Sequence, residues 1–275
     1  EHFGWSEVVG GIILYSDVTH MSINGRKKAW PLMMTLANIS EAKRWGKAGH
    51  TLLALLPIPP SAMSAVEKVM LFQRCVITVL QPLLDGIASG FRLRDPFGDW
   101  QTVRPLLYAW VCDYPESGKI SCTLLHGSRM PCSICYAAKE HLSAVKARNT
   151  PRTPEQQQWI INEAAGTTTS QADPCKAYST YPVECVLWKW DVPGTAWGNP
   201  YLVVMPDIMH QADLGIMSHI VAVVRKMKKR RVKQINRRLS LIRDRTRLNH
   251  MRLPESAYFE TGACVAAYEH RAVMQ

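Results

Sequence analysis

Two aspartates in the chain each stand at the end of an apolar run. Gly10-Gly11-Ile12-Ile13-Leu14-Tyr15-Ser16 leads into Asp17, and Leu106-Leu107-Tyr108-Ala109-Trp110-Val111-Cys112 leads into Asp113. Two carboxylates held a few ångströms apart repel each other unless a cation lies between them, so such a pair means either a bound metal or a raised pKa. Oxygen ligands of this hardness suit Mg²⁺ or Mn²⁺. A two-metal site can activate a water or a 3′-hydroxyl and stabilise the leaving oxygen of a phosphodiester. Taken singly, either acid reads equally as a turn or helix-cap residue. A third unit, Asp207-Ile208-Met209-His210, sets an acid and an imidazole three residues apart. On a helix these share one face, where they could hydrogen-bond to each other, orient a loop or reach a phosphate.

The cysteines carry a second kind of chemistry. The chain has eight and no secretory segment at its start, a usage that points to reduced thiols or metal ligands rather than disulfides. Four lie close together, Cys112, Cys122, Cys132 and Cys135, with His126 and His141 nearby. Cys132-Ser133-Ile134-Cys135 has the spacing that lets two thiolates bind one tetrahedral Zn²⁺ from a tight turn. Cys122 and His141 are the preferred remaining ligands, because Cys112 precedes Asp113 inside an apolar run. The competing reading is two small buried thiols packed as hydrophobes.

Charge is confined to one place. The chain has 33 Lys and Arg against 22 Asp and Glu, a net +11. Between Arg225 and Arg247 twelve basic residues face one acid, Asp244, so this block alone carries +11 and the remaining residues sum to zero. A neutral body with one basic block points to a polyanionic partner met at that block, by way of Arg225, Lys226, Lys228, Lys229, Arg230, Arg231, Lys233, Arg237 and Arg238. A solvated helical face or a nuclear-import signal is the alternative. With 275 residues, 47% hydrophobic and 20% charged, the chain is neither disordered nor a disulfide scaffold. The longest uncharged stretch, Ala48 to Val66, is broken by Pro57, Pro59 and Pro60, so no membrane span is expected there.

The elements that must position the acids follow from periodicity. Gly10 to Asp17 reads as a strand, with a turn after it at Asn24-Gly25; Ala29 to Leu36 and His50 to Leu56 read as two more, together an antiparallel meander. A narrow polar stripe of Ser64, Glu67/Lys68, Arg74, Thr78 and Gln81 predicts a helix over Ser61 to Leu80, buried on most of its surface, with Ser64 and Glu67 forming a capping box. A turn-rich stretch around Asp95-Pro96-Phe97-Gly98 precedes a strand over Leu106 to Cys112, and Pro115-Glu116 suits a helix start. Strand, strand, strand, helix, strand is the order of the ribonuclease H-like α/β core, a mixed sheet in which the first and fourth strands are parallel neighbours joined by a right-handed crossover. Asp17 and Asp113 then sit at adjacent carboxyl ends, where open α/β sheets place their sites. Three parts result: 1–125, the first portion of the core; 126–200, an insertion with the cysteine pair and one amphipathic run, Pro154 to Ala165; and 201–275, a short strand over Tyr201 to Met205, helical spacing over Asp207 to Arg225, and the basic block, whose Ile235, Leu239 and Ile242 predict a continuing helix.

Read together, these segments resemble a known family. Tyr15-Ser16-Asp17, Ala29-Trp30-Pro31, Leu36-Ala37-Asn38-Ile39-Ser40, Leu56-Pro57-Ile58-Pro59, Asp113-Tyr114-Pro115-Glu116, the Cys132/Cys135 pair, Asp207-x-x-His210 with Gln211-x-x-Leu214-Gly215, and Ile235-Asn236-Arg237-Arg238 are similar, in order, to transposases of Plavaka-type elements. These are cut-and-paste DNA transposases related to the Kyakuja-Dileera-Zisupton and CACTA groups. The resemblance implies a DDE/D catalytic core using Mg²⁺ or Mn²⁺, with Asp17 as first and Asp113 as second acid and Asp207 and His210 as the family's acid-x-x-His motif. It also implies a structural Zn²⁺ in a knuckle-like insertion at Cys132 and Cys135. The partners it implies are transposon-end and target DNA, with a further copy of the chain as a candidate, and the site of action is the nucleus. No third acid matches. Glu255, Glu260 and Glu269 are available, but Glu269 lies in a stretch resembling the one that precedes the family's last catalytic segment, so the expectation is a fragment that binds DNA and one metal ion without cutting. A catalytically inactive transposase-derived DNA-binding or interaction protein is the rival reading.

Overall fold

The computed structural model describes residues 7–22, 27–44, 46, 49–95, 97–142, 144, 149–166, 173–190, 199–227, 231, 233–234 and 237. The turn expected at Asn24-Gly25, most of the basic block with its expected helix, and Glu255, Glu260 and Glu269 lie outside them. Residues 1–205 form one compact unit and 206–275 a second.

The first unit is built on a mixed sheet. Strand β1 (Glu7–Ser16) is followed by a two-stranded ribbon, β2 (Thr19–His20) and β3 (Lys28–Ala29), then by β4 (Pro31–Leu36). β4 returns antiparallel along β1, with Ile12 opposite Leu36 and Ser16 opposite Leu32. Gly11 is needed at this crossing, since a Cβ there would lie 2.9 Å from that of Ala37. A short helix, α1 (Glu41–Arg44), leads to β5 (Thr51–Leu55), antiparallel to β4. The three-strand meander is thus as expected, with Trp30 separating β3 from β4.

Helix α2 (Ala65–Ser89) begins with the expected box: the Ser64 hydroxyl accepts from Glu67 N–H, and the Glu67 carboxylate accepts from Ser64 N–H. It runs nine residues beyond the expected end, through Pro82, because Leu83, Leu84 and Ile87 still pack on the core. Its fully buried stripe is narrower than expected, Val69, Phe72, Gln73, Val76, Leu80 and Gly86, with Met70, Cys75, Ile77 and Val79 half-buried beside it. By length and composition α2 is the one helix among the described residues able to cross a bilayer. Its capping box and its stripe packed in the core are those of a core helix.

The turn-rich stretch after α2 is a hairpin that periodicity did not announce. β6 (Phe91–Arg94) pairs antiparallel with the start of β7 (Trp100–Cys112), and the Asp95 carboxylate closes the turn by accepting from Phe97 N–H and Asp99 N–H. β7 is therefore longer than the expected Leu106 to Cys112. Strand order is β5-β4-β1-β7-β6, with β1 and β7 parallel. Three helices follow: α3 (Tyr114–Ile120), α4 (Pro154–Gly166) and α5 (Pro174–Ala177). The expected strand over Tyr201 to Met205 is instead a 3₁₀ turn, Pro200–Val203, and then β8 (Val204–Pro206), which pairs with β7. Asn199 caps that turn and Pro200 is preset for its first position, which wins over the apolar run.

The stretch 183–190, inside the expected insertion, packs into the core. Val183, Cys185, Val186, Leu187 and Trp190 pack with Leu14, Leu32, Val76 and Trp110 in one buried cluster; each such side chain contributes about 1.5–3 kcal/mol on burial. Gln73 ties it to the helices, donating to the Lys119 and Ile120 carbonyls at 2.6 and 3.2 Å and accepting from Val186 N–H at 2.6 Å. Arg152, 0% exposed, organises the loops: it donates to the carbonyls of Cys132, Met130 and Tyr178 and to the Thr180 hydroxyl, and lies 4.4 Å from the Tyr136 ring centre. Replacing it takes the side-chain donor from the Cys132 and Met130 carbonyls, while the Tyr178 carbonyl keeps the Thr180 hydroxyl. Arg152→Met is expected to lower unfolding free energy by about 3 kcal/mol or more, read from denaturant midpoints.

Candidate functional site: two acids at neighbouring strand ends

Asp17 and Asp113 follow directly on β1 and β7, which run parallel and side by side about 4.8 Å apart. Their level is set by a register shift. Ile12 faces Leu107, but Ile13 faces Ala109, so Tyr108 is an extra residue in β7 and stands 60% exposed. After that bulge Leu14 faces Trp110 and Tyr15 faces Val111; two further residues bring Asp17 level with Asp113. Without the bulge Asp17 would be level with Cys112, and the two side chains would be out of phase.

Next to Asp113 lies a buried carboxyl, Glu116, whose sequence context marks only a helix start and a family-like segment. Glu116 is 2% exposed. Its carboxylate accepts from Trp30 Nε1 at 3.1 and 3.0 Å, and the Ser16 side chain lies beside it. Trp110 Nε1 donates to Ser16 Oγ at 2.9 Å, which leaves the Ser16 hydroxyl proton for Glu116. The Glu116 N–H donates to Asp113 Oδ1 at 2.8 Å, so Asp113 caps α3, as its cap reading allowed. Burial pushes the Glu116 carboxyl up to about 7, with the Asp113 charge adding to the rise and Ser16, Trp30 and Lys119 opposing it. An acid at the third position of a capped helix ordinarily serves the helix dipole, so nothing in the sequence pattern distinguishes this one; the indoles at Trp30 and Trp110 were the available signal.

Asp207 and His210 are brought together within the second unit. Nδ1 of His210 is 2.6 Å from Asp207 Oδ2, both groups half-buried, and Gln211 N–H donates to the Asp207 carbonyl. They stand at the entry of a π-helix, Met209–Ile216, which runs into α6 (Met217–Arg225), so the expected helical spacing is present with a wider first part. Such wide turns recur at functional sites.

The thiols are arranged differently. Cys132 and Cys135 are neighbours, and burial together with Cys132 pushes the Cys135 thiol up while the Ala137 N–H and Arg152 act against this. Cys122 is 0% exposed in the main core, a free thiol beside that of Cys185, and burial holds it well above the usual range. His141 is exposed in a 3₁₀ turn. Among the described residues no group of three or more His, Cys, Asp and Glu is gathered closely enough to hold a metal ion, so neither Cys122 nor His141 joins the Cys132/Cys135 pair. Asp17 and Asp113 supply hard oxygens from adjacent strands, a donor set suited to one Mg²⁺ or Mn²⁺ completed by water.

The family described as Plavaka transposase matches residues 6–224, well over half of the chain. The chain belongs to the Plavaka transposase family. No curated protein matches it. Within the family match fall both strand-end acids, the cysteine pair and Asp207-x-x-His210, while the whole basic block lies beyond it.

Glu116 makes stability depend on pH. Its folded value near 7 lies above the usual 4.5, so the folded state holds the proton more tightly. The stabilisation is complete below about pH 4.5 and is lost as pH rises towards 7, by about 3 kcal/mol in all. Denaturant midpoints measured in EDTA are expected to fall across this window, and Glu116→Gln is expected to flatten the fall.

Proposed function

We propose that this member of the Plavaka transposase family is a DDE/D-type DNA transposase whose ribonuclease H-like core binds divalent metal through Asp17 and Asp113. The observation that carries the reading is the parallel pairing of β1 with β7, whose bulge brings the two acids level at one edge of the sheet. Strand order supports the core assignment: a β5-β4-β1 meander extended on the far side of β1 by a parallel strand reached through a helix. Bound Mg²⁺ or Mn²⁺ would supply Lewis-acid activation of a water or 3′-hydroxyl and neutralise charge on the scissile phosphate. The residues' share is then to fix the ion between two strand ends and to keep Asp113 aligned through its cap on α3.

The Asp207/His210 pair fits an accessory role, in which the carboxylate fixes the imidazole tautomer for contact with a phosphate. DNA is the polyanion that the basic block would meet, and the block's charge density suits backbone contact rather than base reading.

Strand-transfer and end-cleavage assays on the full-length gene product with Mn²⁺ test the catalytic reading. Asp17→Asn or Asp113→Asn is expected to reduce the rate by at least about a thousandfold while leaving DNA binding in place. Unchanged rates in these variants would remove both acids from the chemistry, and an inactive wild-type product would leave the chain a DNA-binding relative without it. Neutralising Arg230, Arg231, Arg237 and Arg238 is expected to weaken binding to all sequences alike and to lower the salt-dependence slope by up to about 3.6, at about 0.9 per phosphate contact. Loss confined to one sequence would indicate base readout.

A further inference from the structure

Resting on the reading of Asp17 and Asp113 as metal ligands, we infer that Glu116 is the positioning residue that fixes their spacing, acting from beside Asp113 without touching the metal. Three structural elements meet at this one residue. Ser16, the last residue of β1 and the neighbour of Asp17, lies beside it and favours its charged form. Trp30, between β3 and β4, donates its indole N–H to both carboxylate oxygens. Asp113 is bonded to the backbone of the same residue through its cap. Trp110, three residues before Asp113 on β7, closes the ring through Ser16 Oγ. The two strand ends are thus tied by one hydrogen bond, from Trp110 to Ser16, and Glu116 sits between them, beside Ser16 and held to Asp113 through its backbone N–H.

The surroundings make this ring stiff. Trp30 stacks on Phe72 of α2 with ring centres 5.2 Å apart and planes at 23°, and Phe72 in turn meets Trp110 at 6.3 Å. Ser16 is 4% exposed and Trp110 0%. Lys119 Nζ lies 4.8 Å over the outer side of the arrangement, on the Trp30 ring. Among the described residues no three of His, Cys, Asp and Glu gather closely enough to hold an ion, so Glu116 is no third ligand beside Asp17 and Asp113 and its effect passes through the positions of Ser16 and Asp113. Burying a carboxyl with no surface role is costly, and structures keep such groups where they hold others in place.

The test is Mn²⁺ binding by the whole chain, followed by electron paramagnetic resonance of the free ion, with near-UV circular dichroism to verify the fold. The wild-type chain should bind Mn²⁺, and Asp17→Asn should abolish it. Glu116→Gln keeps the volume but turns an N–H₂ towards donors that need an acceptor; it is expected to weaken Mn²⁺ binding about tenfold or more with the sheet intact. Ser16→Ala, which takes the hydroxyl away from both Trp110 Nε1 and Glu116, is expected to act in the same direction and serves where Glu116→Gln does not fold. Arg152→Met should lose stability without losing Mn²⁺ affinity, separating positioning from general loosening. Wild-type affinity in folded Glu116→Gln and Ser16→Ala overturns the inference and leaves the metal site standing. A wild-type chain that binds no Mn²⁺, or whose binding survives Asp17→Asn, overturns the metal-site reading and the inference with it.

Discussion

The register between β1 and β7 decides what the rest of the molecule can do. Parallel strands have no hairpin to fix their alignment, and each residue of slip turns a side chain from one face to the other. Here the alignment is held by packing at both ends. Apolar residues Ile12 and Leu14 of β1 and Leu107 and Trp110 of β7 bury against α2, while Tyr108 is accommodated as a bulge and left in solvent. The bulge looks like a defect in the ladder, yet it is the step that makes the two acids level.

From that register the remaining features acquire their places. α2 closes the crossover and supplies Phe72, on which Trp30 and Trp110 converge. α3 begins where β7 ends because Asp113 caps it, and the same cap turns Glu116 inward to meet Ser16 and Trp30. The long segment after α3 then returns to the sheet through Val183 to Trp190 and is braced by Gln73 and Arg152. A buried cation, a buried acid and two buried amides in one small unit are paired almost entirely with backbone carbonyls, backbone N–H groups and indoles. That pattern favours fixed geometry over raw stability, since each such group repays its desolvation only while every partner is in position.

Much of this was legible in the residues, for physical reasons. β1, β4 and β5 alternate or run apolar between turn residues, and the Ser64/Glu67 box marks the start of α2 within one residue of its position. Family resemblance was carried by short segments in fixed order, and the family match covers all of them except those beyond residue 224. What escaped was set by tertiary context. β6 is four residues with Arg92 and Arg94 in it, too short and too polar to stand out, and exists because β7 offers it an edge. The one-residue bulge at Tyr108 has no signature in a run of apolar residues. Cys122 looked like a ligand from its distance along the chain to Cys132, but its left-handed backbone, φ 51°, turns it into the core beside Cys185. Glu116 was hidden because helix position and burial are separate facts, and only the first is written in the spacing.

The long crossover also has a consequence for how the chain comes to fold. β1 is made first, but its parallel partner begins only at Thr102, so the central pairing has high contact order and must wait for the intervening chain. The β1-β4-β5 meander and α2 are local and can form during synthesis, leaving one long edge of β1, with its buried Ile12, Ile13 and Leu14, unpaired until β7 emerges. During that interval the nascent chain presents an apolar strand edge of the kind that templates aggregation, and chaperone occupancy or a translational pause near residue 112 would act on that intermediate alone.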